Sequence, residues 1–278
     1  MPARLNGKVA LVTGASRGIG KGVALGLGEE GCTVYVTGET FHDGDSKRPG
    51  SITTTAEEVS KIGGHGIAVL CNHHEDSQTE AVFKHVQKEQ ERLDILVNNA
   101  TSYSTDIGPP EDRPFWESAL EDWDEMNAVG LRSHYVASMF AARMMIPQRR
   151  GLIVNISSIG AIKYTGSVSY NVVKAGVDML SIGTAEELRP HNVAVVSLWP
   201  RLTKTEGVLA HPDLFPNLSN AWSPIFNGRA VVALASDPKI MEKTGQAIKV
   251  DVLAREYDFV DIDGRRPSVE TPKPVAAS

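Results

Sequence analysis

Short runs rich in Val, Ile and Leu recur along the chain, and between them apolar residues return every three or four positions. The short runs are "KVALVT" (8–13), "TVYVT" (33–37), "GIAVLC" (66–71), "LDILVNN" (93–99), "GLIVNIS" (151–157), "VAVVSLW" (193–199) and "AIKVD" (247–251). The amphipathic stretches predict helices over 18–30, 53–63, 77–91, 117–147, 168–189 and 228–236. Strands alternating with helices at this spacing predict βαβ units. The expected fold class is α/β: a doubly wound, Rossmann-like parallel sheet of about seven strands, with helices on both faces. No internal repeat or Ser/Gly linker divides the chain, so residues 1–278 are expected to form one domain.

Three segments interrupt this rhythm: the polar stretch 39–52, the Gly- and Pro-rich stretch 101–116, and residues 201–227. Ligands of open α/β sheets bind beyond the carboxyl ends of the strands. The last two segments both follow strands, so they are the expected substrate rim. The 201–227 segment, with Leu209, Phe215, Trp222 and Phe226, is expected to act as a lid. Its aromatic and aliphatic side chains suit either a hydrophobic substrate or the core. The end of the chain, "KPVAAS" (273–278), reads as a flexible tail.

Composition narrows the function classes. With 41% hydrophobic residues, 22% charged residues and a formal net charge of −6, no basic surface recommends nucleic acid or an anionic membrane. No apolar run approaches the ~18 residues of a spanning helix. The N-terminus leads almost directly into a strand, which leaves no room for a secretory leader. Cys32 and Cys71 lie in or beside apolar runs and form no C-x-x-C pair. Buried reduced thiols in a cytoplasmic protein are expected.

Candidate chemistry begins at "VTGASRGIG", where Gly14, Gly18 and Gly20 join the first strand to a helix. A glycine turn there lets backbone approach a pyrophosphate, which then meets the free N–H groups of the helix N-terminus. A purely structural turn would show the same glycines. "LDILVNNA" ends the fourth strand in Asn98, Asn99 and Ala100, which suits strand-end capping or a cofactor wall equally well. Further on, "SYNVVK" sets Tyr170 and Lys174 four positions apart, hence on one face of a helix. An ammonium beside a phenol lowers its pKa from about 10 and lets it exchange protons near neutrality. His73 and His74 have no companion ligands for a metal and read as loop residues. Trp116 and Trp123 read as packing for the fourth helix, and the basic residues of "SKRPG" as solvated.

"TGASRGIG", "NNA", "MNAVG", "IVNISS" and "SYNVVK", in this order and spacing, resemble the short-chain dehydrogenase/reductase superfamily, in its short single-domain branch. The resemblance covers residues from about 6 to 250, and "LAREYDFVDIDGR" and "PFWE" are similar to one group within it. It implies a catalytic set of Asn127, Ser157, Tyr170 and Lys174. Tyr170 would be the general acid or base, Lys174 would also hold the nicotinamide ribose, and Asn127 would anchor a proton-relay water. The serine would stabilise the developing oxyanion. Ser157 stands thirteen residues before Tyr170, the usual separation, whereas the register of "IVNISS" points to Ser158. The separation is followed, and Ser157 is expected.

The resemblance also implies that Gly14, Ser16, Arg17, Gly18, Ile19 and Gly20 cradle a dinucleotide. Asn72, Asn99, Ala100, Tyr170, Lys174, Pro200, Thr203 and Thr205 would complete its site. NADP(H) is the expected cofactor and NAD(H) the alternative. Gly38 stands where NAD-selective relatives have Asp, and Arg17 can reach an adenosine 2′-phosphate, although Glu39 would repel one. Three departures from the family pattern are visible. Asn72 replaces an Asp, Glu39 a basic residue, and Arg201 the glycine of a Pro-Gly pair beside the nicotinamide.

The implied activity is hydride transfer between NADP(H) and a small-molecule carbonyl or secondary alcohol, by a homodimer or homotetramer. A dinucleotide-binding regulatory protein, or an epimerase or dehydratase on the same scaffold, are the alternatives.

Overall fold

The computed structural model describes residues 3–102 and 114–267. Seven strands form one parallel sheet in the order β3-β2-β1-β4-β5-β6-β7. They are β1 (Val9–Val12), β2 (Thr33–Gly38), β3 (His65–Leu70), β4 (Ile95–Asn98), β5 (Gly151–Ile156), β6 (Val193–Trp199) and β7 (Ala247–Lys249). Each overlaps the run that predicts it. The chain winds outward from β1 to β3, returns to β4 beside β1, and continues to β7. That reversal makes the gap between the ends of β1 and β4 the switch point where such sheets bind ligands.

Alternate residues of the central strands feed two separate cores. Ala10, Val12, Val34, Val36, Val97, Val154 and Val196 pack with α1 (Gly18–Glu29), α2 (Ile52–Lys61) and α8 (Pro224–Ser236). Val9, Leu11, Tyr35, Leu96, Ile153 and Val195 pack with α3 (Asp76–Gln90), α5 (Ser133–Gln148) and α6 (Val168–Leu188). Burying a Val or Leu side chain contributes about 1.5–3 kcal/mol, so the two faces dominate stability. On the first face α1 and α8 pack unusually close. A Cβ on Gly22 would lie 2.1 Å from the Pro224 carbonyl carbon, so only glycine permits the contact.

The helix expected over 117–147 is broken. A 3₁₀ turn (Phe115–Glu117) leads to α4 (Leu120–Asn127), and a π segment (Ala128–Arg132) separates α4 from α5. Polar side chains compete for the backbone here. Asn127 donates to the Trp123 carbonyl at 2.8 Å, and Ser133 donates to the Val129 carbonyl at 2.6 Å. Trp116 and Trp123 are exposed rather than packed, at 73% and 43%.

Helix α8 begins four residues before the expected 228, because Ser223 caps the Phe226 amide and Pro224 occupies the first turn. Two short helices, α7 (Glu206–Ala210) and α9 (Val250–Glu256), escape the periodicity reading. Trp222 and Phe226 stack at 4.4 Å inside the core, while Leu209 is exposed. Most of the 101–116 stretch and the 273–278 tail lie outside the described residues. Cys32 and Cys71 are free and buried.

Candidate active site

The glycine turn sits at the switch point. Gly14 and Gly18 have φ of +63° and +60°, a region that side chains avoid. A Cβ on Gly14 would meet the Ala100 Cα at 2.7 Å, so the turn closes against β4 only as glycine. Asn99 braces it from below, donating to the carbonyls of Thr13 (3.0 Å) and Gly14 (2.9 Å). Ser16 and Ala100 are buried alongside, and Ile19 packs into the first core.

Helix α1 starts with Arg17 at its cap position, which makes no side-chain cap bond, and has no acidic residue in its first turn. Its leading N–H groups are therefore available to an anion. One anion already reaches them: the Glu206 carboxylate accepts from the Gly18 amide at 2.7 Å. The turn thus fits the pyrophosphate of a dinucleotide, both in the close approach it allows and in its affinity for negative charge.

Arg17 points the other way. Its guanidinium donates to the carbonyls of Pro49 (2.9 Å), Gly50 (2.8 Å) and Arg48 (3.3 Å) and to the Thr40 hydroxyl (3.0 Å). It ties the 39–52 segment to the glycine turn. Burial pulls its pKa below the ordinary value and the Arg48 charge adds to that, while Glu206 and Asp43 oppose it. Gly38 ends β2 with no side chain, and Glu39 is exposed. Asn72 accepts from the His74 amide at 2.8 Å and so shapes the turn before α3.

The catalytic end lies across the switch point. Ser167 caps α6 and accepts from the Tyr170 amide, which seats Tyr170 in the first turn of the helix. The Tyr170 hydroxyl donates to the Ser158 Oγ at 2.9 Å. Lys174 lies one turn further along, with its Nζ 5.6 Å from the phenol ring centre and donating to the Ile156 carbonyl at 3.0 Å. The serine assignment from residue separation is therefore corrected. Ser158 faces the phenol, whereas Ser157 is buried and donates to the Lys174 backbone carbonyl at 3.2 Å. Consecutive residues leaving a strand point to opposite sides, so one position decides which serine meets the phenol.

The expected lowering of the Tyr170 pKa is also corrected. Burial pushes it above the ordinary phenol value, and the Ser158 hydrogen bond only partly opposes this. Burial pulls Lys174 down to about 8, with Asp178 opposing. Asn127 stands at the end of α4 with its amide on the Trp123 carbonyl, immediately before the π segment.

Two residues at this end were not foreseen. A Cβ on Gly160 would lie 2.8 Å from the Tyr170 ring, so a glycine clears room for the phenol. Asn171 accepts from the Thr165 amide (3.1 Å) and donates to the carbonyls of Lys163 (2.6 Å) and Gly160, which folds the 159–166 turn around the site. Asn171 lies within "SYNVVK", one residue past the tyrosine, where nothing but its polarity sets it apart.

The other polar residues serve the walls. Asn98 joins Asn155 (2.8 Å) and Ser138 (2.9 Å) in a buried network. His73 lies in the turn before α3, as expected of a loop residue, but it is buried, with its Nε2 2.9 Å from the Thr37 hydroxyl. His74 pairs with Glu125. Thr203 is buried and donates to the Arg201 carbonyl, and Thr205 caps α7. Pro200 is half-buried at the end of β6. Arg201 does not crowd the site: its guanidinium turns to Asp251 of α9 at 2.7 Å, and its φ lies outside the left-handed region.

Comparison with known proteins agrees with this geometry. The family described as short chain dehydrogenase matches residues 8–211. The mouse and human proteins named dehydrogenase/reductase SDR family member 1 are 42% and 41% identical, over 95% of this chain and 86% of theirs. The 3-oxoacyl-[acyl-carrier-protein] reductase of Aquifex aeolicus is 35% identical over 74% of this chain and 78% of its own. The chain belongs to the short-chain dehydrogenase/reductase family.

Solved structures agree as well. A short-chain type dehydrogenase/reductase from Mycobacterium marinum superposes with a TM-score of 0.76 at 25% identity, covering 88% of this chain and 94% of that one. A metagenomic short-chain oxidoreductase in complex with NADP gives 0.71 at 28% identity, covering 88% and 97%. This member of the family is therefore built as an oxidoreductase of the kind that binds nicotinamide dinucleotides. Among the described residues no helix is long and apolar enough to cross a membrane.

Proposed function

We propose that this protein reduces carbonyl compounds to secondary alcohols, or runs the reverse oxidation, with NADP(H) preferred over NAD(H). The observation that carries the reading is the Tyr170 hydroxyl bonded to Ser158, one helical turn from the buried Lys174 and across the switch point from the glycine turn. When bound, a nicotinamide dinucleotide supplies or accepts the hydride.

The chain's own residues do the rest. Ser158 is the hydroxyl that a carbonyl oxygen would meet, and it stabilises negative charge developing there. Tyr170 donates the proton; its raised pKa keeps it protonated near neutral pH, which suits an acid in the reductive direction. Lys174, at about 8, remains largely cationic at pH 7, one helical turn from the phenol. Asn127, immediately before the π segment, is the residue assigned to anchor a relay water for Lys174.

The NADP(H) preference is supported by Gly38, which leaves the end of β2 without a side chain, and is opposed by the carboxylate of the next residue, Glu39. A relative of 28% identity solved with NADP is consistent with it. Exposed Ile162, Tyr164 and Leu209, on the segments after β5 and β6, favour an apolar substrate. The regulatory alternative loses its main support with Arg201, whose side chain is accommodated on Asp251.

The test is a panel of ketones, aldehydes and alcohols assayed by absorbance of the reduced dinucleotide, with Tyr170→Phe beside the wild type. Turnover should fall by about 10²–10⁴-fold in the variant, the usual contribution of a positioned acid. Dinucleotide binding should persist. Retention of more than about a tenth of wild-type turnover would remove Tyr170 from the acid role.

A further inference from the structure

Glu206 and Gly18 lie 188 residues apart in sequence, yet the carboxylate accepts from the Gly18 amide at 2.7 Å. Helix α1 provides no acceptor of its own at this end, since Arg17 makes no side-chain cap and the first turn has no acid. A carboxylate there is favoured by the partial positive charge of the helix terminus. Thr205, the neighbour of Glu206, also crowds the turn, its methyl 3.5 Å from where a Gly18 Cβ would be. In this arrangement α7 is seated on the glycine turn.

The base from which α7 hangs is firmly tied. Trp222 donates to the Leu202 carbonyl at 3.0 Å, Lys204 donates to the Trp222 carbonyl at 2.8 Å, and Thr203 bridges Trp222 in parallel. Residues 205–221 therefore form a loop closed at its neck, and α7 can lift from the turn without disturbing β6 or α8.

We propose that Glu206 is a built-in competitor for the cofactor: its carboxylate occupies the pyrophosphate seat in the free protein and must leave when the dinucleotide enters. This rests on the dinucleotide-dependent function proposed above. The physical requirement is direct. The Gly18 N–H cannot serve both anions, and a pyrophosphate within a few ångströms repels the half-buried carboxylate. Cofactor entry thereby releases α7, and by linkage whatever holds α7 down weakens cofactor binding by the same factor. A segment that covers the site in the free protein is freed to re-form around cofactor and substrate.

The test is titration of the full-length protein with NADPH and NADH, followed by dinucleotide fluorescence, in wild type, Glu206→Ala and Glu206→Gln. Glu206→Ala should bind about tenfold tighter, the scale of a lost charge-assisted hydrogen bond. Glu206→Gln, which keeps the shape and loses the charge, should shift in the same direction by less. Adenosine 2′-monophosphate, which has no pyrophosphate, should bind all three proteins alike.

Unchanged or weaker dinucleotide binding in both variants overturns the competitor role, as does an equal gain for adenosine 2′-monophosphate. If no protein of the set binds either dinucleotide, the functional reading falls and takes this inference with it. If the wild type binds well and residue 206 has no effect, this inference falls alone.

Discussion

The two ends of the site are assembled in opposite ways. At the catalytic end the bonded partners are near neighbours in sequence: Tyr170 and Ser158 are 12 residues apart, Lys174 and Ile156 are 18 apart. One strand, one turn and one helix hold Ser158, Tyr170 and Lys174; Asn127 alone comes from α4. At the phosphate end Gly18 meets Glu206 from 188 residues away, and Arg17 ties down Gly50 from 33 away. That end is a meeting of separate segments, each able to move without unfolding the others. On the function proposed above, chemistry that depends on ångström-level positioning would sit on the short-range scaffold, and ligand exchange would fall to the long-range one.

The largest test of this contrast is at the two adjacent serines. Ser158→Ala should lower carbonyl reduction by about 10²–10³-fold, as loss of an oxyanion donor does. Ser157→Ala removes a buried bond to the Lys174 carbonyl and should act mainly on stability, by about 1–3 kcal/mol. Steady-state rates paired with urea midpoints separate the two effects. Loss of rate at Ser157 with none at Ser158 would mean that the phenol's partner changes when substrate binds.

What the sequence makes legible follows the same division. Repetitive apolar runs predict all seven strands, most plainly the five central ones, because a strand buried on both faces has no choice of composition. Helical spacing puts Tyr170 and Lys174 on one face, and the accompanying motifs mark them as candidate chemistry. Ser158 does not, because the length of the 159–166 turn is free to vary and a one-residue slip at the end of a strand reverses the side chain. Asn171, which sets that turn, carries no pattern beyond being a polar residue on a helix. The break between α4 and α5 is hidden because its residues keep helical spacing while their side chains take over the backbone bonds. Glu206 on Gly18 and Arg201 on Asp251 are long-range pairings, and no local pattern encodes them.

A smaller effect compares the walls behind the two ends. His73 lies buried behind the adenosine side, bonded to Thr37, and His134 behind the catalytic side, its Nε2 3.1 Å from the Ala100 carbonyl. Burial pulls His73 from 6.5 to about 4. Burial, and then the charge of Lys174, pull His134 from 6.5 to about 3. Below pH 6.5 the unfolded chain takes up protons that the folded one refuses, so stability falls as pH falls. At pH 5 the loss is about 2 kcal/mol for each histidine. The His73 contribution levels off near pH 4, while that of His134 continues to about 3. Urea unfolding between pH 7 and pH 4 should show this slope, and His73→Gln and His134→Gln should each flatten it. An unchanged slope in both variants would place the acid sensitivity elsewhere.

The smallest expected effect concerns the adenosine end and the choice of dinucleotide. Arg17 is committed to the carbonyls of residues 48–50, so its first effect is to fix the 39–52 segment. It also keeps a positive charge on the Thr40 hydroxyl, two residues past the Gly38 position that a 2′-phosphate would face, with the Arg48 charge close enough to lower its pKa further. Both effects favour NADP(H) over NAD(H), and substitution separates them. Arg17→Ala removes charge and tether together and should lower the NADP(H)/NAD(H) ratio of kcat/KM by about tenfold. Arg17→Lys keeps the charge but lacks the planar fork that spans several carbonyls, so it should retain most of the ratio while loosening the segment. Proteolysis within 39–52 reads that loosening independently of turnover. If Arg17→Ala leaves the ratio unchanged, or NAD(H) serves equally well in the wild type, the phosphate end takes its selectivity from Glu39, and Arg17 belongs to the scaffold alone.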